Sequence, residues 1–309
     1  MTDIVHPIAP AVAVDAAQLD HLREMARRIR VEVVRAVNHA RAGHLGGPLS
    51  AADLLAALYF HELRLRPDEP AWPDRDRFVL SKGHSSIALY AAMALRGYFP
   101  VEELLTFDGA HSRLQGHPDM TRLPGLDMST GSLGMGISAA MGMALGARLT
   151  GRDVRAWVML GDGECQEGEV WEAAMAAPRH ALDNLVVIVD HNRLQQYGWP
   201  GEGPDGRIPP QVPGELAAKW AAFGWRVIEL DGHDMAAILD AFARAKEGDG
   251  RPVALIASTV KGKGVSYMEG HWYWHTRPFK PEEYAIAMRD LGEPESAAAG
   301  APAAQGAVR

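Results

Sequence analysis

The sequence predicts an α/β protein in which a parallel sheet is covered by helices on both faces. Short apolar runs alternate with segments of helical periodicity, and the apolar runs show no polar alternation. Parallel strands joined by helices are buried on both faces, so they read as continuous apolar runs. The chain has 309 residues, of which 47% are hydrophobic and 23% charged, a composition and length sufficient for a large globular domain.

The N-terminal half is predicted to be mostly helical. Residues 1–14 form a flexible arm, and apolar residues at helical spacing predict a helix over 15–40. Gly43–Pro48 breaks this helix, and Ser50 is predicted to cap the next one. The elements that follow are a strand at 77–81, helices at 85–96 and 102–107, a long loop at 108–131 and a helix from about Leu133.

The C-terminal half alternates strands and helices regularly. Predicted strands lie at 156–160, 185–189, 226–230 and 253–260, predicted helices at 215–223, 234–247 and 281–287, and loops at 198–214 and 261–280. We expect residues 15–292 to form a single domain. Residues 293–309 are of low complexity and are predicted to be a disordered tail.

Two polar residues follow neighbouring strands of one predicted βαβ unit. Asp162 lies between Gly161 and Gly163 after the first strand, and Asn192 follows the second. The carboxyl ends of parallel strands meet at one edge of the sheet, so these side chains are expected to lie together. Their oxygens suit Mg²⁺, and the flanking glycines let the backbone approach an anion. A bound magnesium and diphosphate are therefore predicted, although turn residues are also often Asp or Asn.

Composition argues against several other functions. The formal net charge is −8 without a dense basic run, which argues against a nucleic-acid partner. The single cysteine, Cys165, excludes an internal disulfide framework and fits a reducing cytoplasm. The N-terminus lacks the basic region of a signal peptide, and no apolar stretch has the length needed to span a bilayer. A cytoplasmic protein without membrane contact is expected.

The segment GDGECQEGEVWEAAMAAPRHALDNLVVIVDHN resembles the thiamine-diphosphate motif, in which GDG is followed after about thirty residues by Asn. The wider sequence resembles the transketolase family, with matching segments RAGHLGGPLS, RFVLSKGHSS, LQGHPD, STGSLGMG and STVKGKG. The resemblance implies a thiamine-diphosphate-binding fold, with Asp162, Asn192 and the backbone carbonyl of Leu194 as Mg²⁺ ligands. It also implies that Gly131, Leu133 and Gly163 contact the cofactor.

Four histidines lie in predicted loops of these matching segments, and a loop histidine alone is often only a surface residue. Imidazole moves protons near neutral pH, which a reaction on sugar hydroxyls requires. By resemblance, His44, His84 and His275 lie near the diphosphate and the reacting bond, and His117 holds the substrate. His84 and His275 are also predicted cofactor contacts. The segment HWYWH contains both His271 and His275, so the assignment between these two stays open.

Other residues near the motif have weaker assignments. Glu167 and Glu172 follow Asp162 and are either a solvated helix face or, by resemblance, acidic residues at a subunit interface linking two cofactor sites. Lys261 reaches phosphate or caps a strand end. Cys165 has no neighbour in sequence that indicates an activated thiolate, so a structural role is expected.

The resemblance implies an incomplete enzyme, because a full-length transketolase is about twice this length. The expected function is the N-terminal subunit of a split transketolase, transferring a two-carbon ketol unit from a ketose phosphate to an aldose phosphate. A C-terminal, pyrimidine-binding subunit would supply the activating glutamate, and the chain would also associate with itself through its diphosphate-binding domain. The alternatives are the α subunit of a 2-oxo-acid dehydrogenase or decarboxylase, a transketolase for a non-pentose ketose, and a non-catalytic regulatory subunit.

Overall fold

Six parallel strands form the central sheet of the structure, a computed structural model that describes residues 4–5, 15–196 and 216–294. The strand order across the sheet is β1-β5-β6-β4-β3-β2, and every pair is parallel. The strands are β1 (Ile4–Val5), β2 (Arg77–Leu80), β3 (Ala156–Gly161), β4 (Leu185–His191), β5 (Arg226–Asp231) and β6 (Val253–Ser258). The predicted α/β class with a parallel sheet is confirmed.

Helices cover both faces of this sheet. They are α1 (Ala16–Ala40), α2 (Gly46–Ala57), α3 (Ser86–Arg96), α4 (Met135–Leu149), α5 (Gly168–Arg179), α6 (Leu216–Ala222), α7 (Met235–Ala245) and α8 (Pro281–Asp290). Trp157 and Met159 of β3 pack with residues of α1, α2, α3 and α7, while Val158 and Leu160 pack with residues of α4, α5 and α6. Successive residues of a strand point to opposite faces, so both sets are buried and the strand is apolar throughout.

Shorter helical turns connect these elements. A π-helical turn, Leu58–Glu62, continues α2. Four 3-10 turns lie at Gly83–Ser85, Val101–Thr106, Glu164–Gln166 and Trp272–His275. The predicted helix over 102–107 is thus a 3-10 turn, and a 3-10 turn also separates Asp162 from α5.

Helix α2 begins five residues earlier than predicted, since a cap at Ser50 would place the first helical residue at position 51. It starts at Gly46, so Ser50 lies inside the helix and is fully buried. Pro48 does not break the helix, because an N-terminal first turn lacks partners for its N–H groups anyway. Ser50 is not a cap: its hydroxyl donates a hydrogen bond to Gly47 O and another contact of 2.6 Å reaches Asp190 Oδ2.

Both chain ends differ in part from the predicted arm and tail. Ile4–Val5 pair with Val227 and Ile228 as an edge strand, so this part of the arm is ordered on the sheet. Glu293 forms ion pairs with Arg27 and Arg35, both on α1, at 3.0 and 2.8 Å. The predicted loop at 198–214 lies outside the described residues, as do residues 6–14 and the tail from residue 295.

The parallel arrangement brings four strand ends to one edge of the sheet. Strands β2, β3, β4 and β6 are neighbours, and Gly161 pairs in register with Asp190. The residues just beyond their carboxyl ends therefore share the crevice where open α/β sheets bind ligands. None of the helices in the described part of the chain has the length and apolar character needed to cross a membrane.

Candidate active site

A cavity of about 350 Å³ lies beyond the carboxyl ends of these strands. All ten residues predicted for the site line it: His44, His84, His117, Gly131, Leu133, Asp162, Gly163, Asn192, Leu194 and His275. His271 is not among the lining residues, so His275 is the histidine of the HWYWH segment that faces the cavity. The lining also includes Gly47, Lys82, Glu164, Gln195 and Gln196, which were not predicted from the sequence, and Lys261.

Asp162, Asn192 and Leu194, the predicted oxygen ligands of the metal, all line this cavity. Asp162 Oδ1 accepts a hydrogen bond of 2.8 Å from the Gly163 N–H, and Oδ2 accepts one of 2.5 Å from the Arg193 N–H. Asn192 Oδ1 accepts the Leu194 N–H at 3.1 Å. Arg193 has a φ of 62°, in the left-handed region, and this turn carries the Leu194 carbonyl to within 3.4 Å of Lys261 Nζ. A carboxylate, a carboxamide and a backbone carbonyl are the hard ligands that Mg²⁺ prefers.

The carboxyl group of Asp162 is held in an environment that disfavours its charge. Burial and the nearby charge of Asp190 raise the pKa of Asp162 to about 6, although two backbone N–H groups act in the opposite direction. A bound cation would remove this penalty, because it favours the ionised carboxylate. In the described residues, this site included, no group of three or more His, Cys, Asp or Glu side chains is arranged to hold a metal; the predicted ligand set contains one such side chain, Asp162, beside a carboxamide and a backbone carbonyl.

The four predicted histidines form one cluster in the lining of the same cavity. The rings of His44, His84 and His275 lie 5.0 to 5.2 Å apart between centroids, and His117 lies 6.1 Å from His44. Burial and neighbouring positive charges lower the pKa of His44 to about 4 and that of His275 to about 2, and they lower the pKa of His84 further. These three imidazoles are therefore neutral at pH 7 and have ring nitrogens able to accept protons.

Two buried lysines provide positive charge at the cavity wall. Lys82 is 2% exposed and donates to Gly47 O at 3.1 Å, and it forms an ion pair with fully buried Asp190. Burial alone would raise the pKa of Asp190, but Lys82, Ser50 and Thr259 outweigh it and lower that pKa. Lys261 Nζ lies 2.9 Å from His275 Nδ1, and burial lowers the pKa of Lys261 to about 8. Cationic groups placed in this way favour an anionic ligand such as a diphosphate.

Glu164 organises the turn between Asp162 and α5. It is 2% exposed and accepts hydrogen bonds from Ser81 Oγ at 2.5 Å, Gly134 N at 2.8 Å and Gly161 N at 3.1 Å. Burial raises the pKa of this carboxyl group. Because Gly134 is the cap of α4, Glu164 fixes the start of that helix against the ends of β2 and β3.

The loop carrying His117 and Gly131 packs closely on the end of β2. Thr130 Oγ1 donates to Leu80 O at 2.8 Å, and a Cβ at Gly83 would lie 2.7 Å from backbone of Thr130. A Cβ at Gly131 would lie 3.2 Å from the His117 ring. The glycines here serve close packing, which places the loop residues against the cavity.

The remaining predicted residues lie around the helix after Asp162. Glu167 is the cap residue of α5 and Glu172 lies on its exposed face. Cys165 is buried, and burial raises the pKa of its thiol well above the usual value, as expected for a structural cysteine rather than a reactive one.

Comparison with known proteins identifies the family. Residues 22–299 match the family described as "Transketolase, thiamine diphosphate binding domain". The chain belongs to the transketolase family. The predicted resemblance to the N-terminal subunit of a transketolase is thereby confirmed, and with it the thiamine-diphosphate-binding fold.

Two similar transketolase subunits match over nearly their whole length. The chain is 43% identical over 274 residues to the 6-deoxy-6-sulfo-D-fructose transketolase subunit SqwG of Clostridium sp. (strain MSTE9), covering 89% of this chain and 97% of that protein. It is 41% identical over 276 residues to an apulose-4-phosphate transketolase subunit from Phocaeicola vulgatus, covering 89% and 95%.

Solved transketolase structures share the fold. The structure of the Pichia stipitis transketolase in complex with sedoheptulose 7-phosphate matches with a TM-score of 0.82 and 31% identity, covering 89% of this chain. The chain spans 41% of the length of that transketolase. The similarity therefore concerns one part of the longer enzyme.

Proposed function

We propose that this chain is the diphosphate-binding subunit of a split transketolase that transfers a two-carbon ketol unit from a ketose phosphate to an aldose phosphate. The observation that carries the proposal is the cavity itself, whose lining brings Asp162, Asn192 and Leu194 together with four histidines. The oxygens suit a magnesium-bound diphosphate, and the histidines suit proton transfer to and from sugar hydroxyls.

The residues of the cavity fit thiamine diphosphate and Mg²⁺. Asp162, Asn192 and the Leu194 carbonyl would hold the metal, and Mg²⁺ would complete its shell with water and phosphate oxygens. Lys261 and His84 would contact the diphosphate, with Gly131, Leu133, Gly163 and His275 along the cofactor. Bound thiamine diphosphate supplies the electron sink for cleavage of the ketose carbon–carbon bond.

The chain's own contribution is to bind, orient and move protons. His44, His84 and His275 are neutral because of burial and the adjacent lysines, so each accepts a proton from a substrate hydroxyl and returns it later. We place His117 against the hydroxyls of the substrate, at the outer side of this cluster. The surrounding protein holds the reacting groups in position and excludes water.

The proposed enzyme needs a second chain. The similar proteins from Clostridium and Phocaeicola are named as subunits, and the chain spans only 41% of a longer transketolase. We infer that a pyrimidine-binding subunit supplies the activating glutamate and completes the active site in a heterotetramer. Cys165, the single cysteine, supports the cytoplasm as its compartment.

The relatives favour an unusual ketose as the substrate. Their names specify 6-deoxy-6-sulfo-D-fructose and apulose 4-phosphate, each a sugar with an anionic group remote from the ketol carbons. We propose that the substrate of this chain also carries such a group. The segment His271–Tyr273 lies next to His275 in the sequence, and Tyr273 is 43% exposed; we propose that this segment takes part in recognising the substrate.

The decisive experiment reconstitutes two-carbon transfer. This chain, the product of its neighbouring gene, thiamine diphosphate and Mg²⁺ are incubated with a series of ketose donors and an aldose phosphate acceptor, and each chain alone is the control. We expect product only in the mixture. Full transfer by this chain alone would refute the split enzyme, and turnover of pyruvate in place of ketoses would favour the 2-oxo-acid decarboxylase.

We expect His117→Ala and His84→Ala to weaken turnover by about 100-fold, the lower range for loss of a general acid–base group. Mg²⁺ binding should be unchanged, because neither imidazole is among the proposed metal ligands. Steady-state kinetics of the reconstituted enzyme and calorimetry with Mg²⁺ and cofactor test this. Replacing exposed His180 by Ala is the matched control, and wild-type turnover in His84→Ala or His117→Ala would remove that histidine from the mechanism.

We also propose self-association through the exposed side of α4 and α5. Met135, Leu149 and Met175 are 43%, 79% and 52% exposed there, and a Cβ at Gly142 would meet nothing within 4 Å. Gly142→Leu should therefore leave the fold intact but weaken the association at least about tenfold, because the added side chain separates the two surfaces. Sedimentation equilibrium measures this, with Ala17→Leu on exposed α1 as control; an unchanged mass would place the interface elsewhere.

A further inference from the structure

His233 links the backbone of Val260, the residue before Lys261, to Asp53 of helix α2. It lies between β5 and α7, and its side chain is 13% exposed. The Val260 N–H donates a hydrogen bond of 2.8 Å to His233 Nε2. On the other side of the ring, Nδ1 lies 2.7 Å from Asp53 Oδ2 of α2. The imidazole thus bridges α2 and the residue that precedes Lys261.

These two contacts define the tautomer of the ring. Nε2 accepts a backbone N–H and so carries no proton, which places the proton of the neutral ring on Nδ1. Nδ1 then donates to the carboxylate of Asp53. A histidine whose second nitrogen is bonded to a carboxylate is fixed in both tautomer and orientation, as in the supporting shell of many functional sites.

Asp53 is itself held by Arg30 of α1. Arg30 forms a two-point ion pair with Asp53 and donates from Nε to Leu49 O at 3.2 Å. Burial would raise the pKa of Asp53, but Arg30 and His233 outweigh it and lower that pKa. The carboxylate is therefore ionised, and the chain Arg30–Asp53–His233 is a fully bonded buried network.

The segment from Thr259 to Gly262, which this network contacts, is held by further hydrogen bonds on both sides of Lys261. Thr259 Oγ1 donates to Asp190, and the Gly262 N–H donates to Gly46 O at 3.0 Å. The stem of Lys261 packs on Gly46, where a Cβ would lie 2.6 Å from Lys261 Cγ. Because Lys261 is 2% exposed and its stem packs directly on Gly46, the position of the ammonium group follows the position of the backbone at Val260 and Gly262.

We propose that His233 is a positioning residue for Lys261, acting through the Val260 N–H. By holding this N–H, His233 keeps the Lys261 ammonium at the cavity wall, beside His275 Nδ1 and the Leu194 carbonyl. The consequence is a higher affinity for the anionic part of the cofactor. This inference rests on the proposed function, since the ligand that Lys261 serves is the diphosphate of thiamine diphosphate.

Two substitutions separate the two hydrogen bonds of the ring. In His233→Gln the side-chain oxygen reaches the place of Nε2 and still accepts the Val260 N–H, but the contact with Asp53 is lost. In His233→Asn the amide replaces Nδ1 and still donates to Asp53, but nothing accepts the Val260 N–H. His180→Asn, at an exposed position, is the matched control for composition.

The measurement is the calorimetric affinity for thiamine diphosphate and Mg²⁺ of this chain reconstituted with its pyrimidine-binding partner subunit, together with the thermal unfolding midpoint and hydrogen exchange of the Val260 amide. We expect His233→Asn to weaken cofactor affinity about tenfold, the size of one net hydrogen bond, and to speed Val260 exchange. His233→Gln should stay within about threefold of wild type. In a Lys261→Met background, the effect of His233→Asn on affinity should disappear, because coupled residues are not additive.

Several outcomes would overturn the proposal. Equal losses of affinity in the Gln and Asn variants, parallel to their loss of thermal stability, would assign His233 a general structural role. An undiminished effect of His233→Asn in the Lys261→Met background would show that it acts through another residue. Failure of the wild-type chain together with its pyrimidine-binding partner subunit to bind thiamine diphosphate would instead refute the proposed function, and Val260 exchange would still test the link to His233.

Discussion

Asp162→Ala is expected to abolish Mg²⁺-dependent binding of thiamine diphosphate while the chain stays folded. The carboxylate is the charged member of the proposed metal-ligand set, and the remaining ligands, Asn192 and the Leu194 carbonyl, are neutral. We expect the affinity measured by calorimetry to fall by more than about 100-fold, beyond the range seen when only supporting residues of a metal site are changed. Cofactor binding without Mg²⁺ should change much less.

The same substitution should not destabilise the cofactor-free chain. The folded protein raises the pKa of Asp162 to about 6 from a usual value of 3.8, which means that folding disfavours its ionised form near neutral pH. Removing the carboxylate relieves this penalty, which offsets the loss of its two backbone hydrogen bonds, because the pKa of Asp162 is raised despite them. Urea unfolding checks the point, with Asp162→Asn as the isosteric variant and Asp249→Ala as a surface control. Cofactor affinity equal to wild type in Asp162→Ala would exclude Asp162 from the site.

The cofactor-free chain is expected to lose stability steeply as the pH falls below about 6.5. Burial lowers the pKa of His44 to about 4 and of His275 to about 2, and that of His84 further. The unfolded chain binds protons at these residues near pH 6.5 while the folded chain does not, so acid favours unfolding. At pH 5 each histidine contributes about 2 kcal/mol of destabilisation, and the three together about 6 kcal/mol.

Asp162 has the opposite effect on stability as the pH falls. Its pKa is higher in the folded chain than in the unfolded chain, so the folded chain binds this proton more readily. Its contribution at pH 5 is about 1.4 kcal/mol of stabilisation, so the net loss from the four groups is about 4 to 5 kcal/mol. This is a large part of the stability of an ordinary domain. Urea unfolding at pH 7 and pH 5 measures it. His84→Gln should reduce the difference by about 2 kcal/mol and exposed His180→Gln should not; an equal free energy of unfolding at both pH values would contradict neutral buried imidazoles.

Local patterns in the sequence predicted the sheet and two members of the cavity. Apolar runs marked β3, β4 and β6, and Asp162 and Asn192, which follow β3 and β4, had to meet at one edge. The remaining predicted members, Gly131, Leu133, Gly163, Leu194 and the four histidines, came from the resemblance to the transketolase family. The discrepancy at the start of α2, which lies at Gly46 instead of after Ser50, arose because Ser50 looked like a cap but its hydroxyl bonds to Asp190 of β4.

The buried supports of the cavity could not be predicted in the same way. Lys82 and Asp190 pair across 108 residues of sequence, and each alone resembles an ordinary charged residue at the end of a strand. Nothing in the sequence marks Glu164 except that it directly follows the GDG motif. Its structural role is visible only in the folded chain, where Ser81, Gly134 and Gly161 each donate a hydrogen bond to its carboxylate. Tertiary contacts, which no local periodicity encodes, decide these positions.

The bonding of Asp190 also constrains when the site can form during folding. Its partners Ser50, Lys82 and Thr259 are separated from it by 140, 108 and 69 residues. Such non-local contacts form late in folding, because the entropy cost of closing long loops of chain comes before the contacts add any stability. Thr259 directly follows β6. The cavity therefore cannot assemble in a nascent chain until β6 and Thr259 have left the ribosome. A cofactor that requires the assembled cavity can therefore bind only after β6 has joined the sheet.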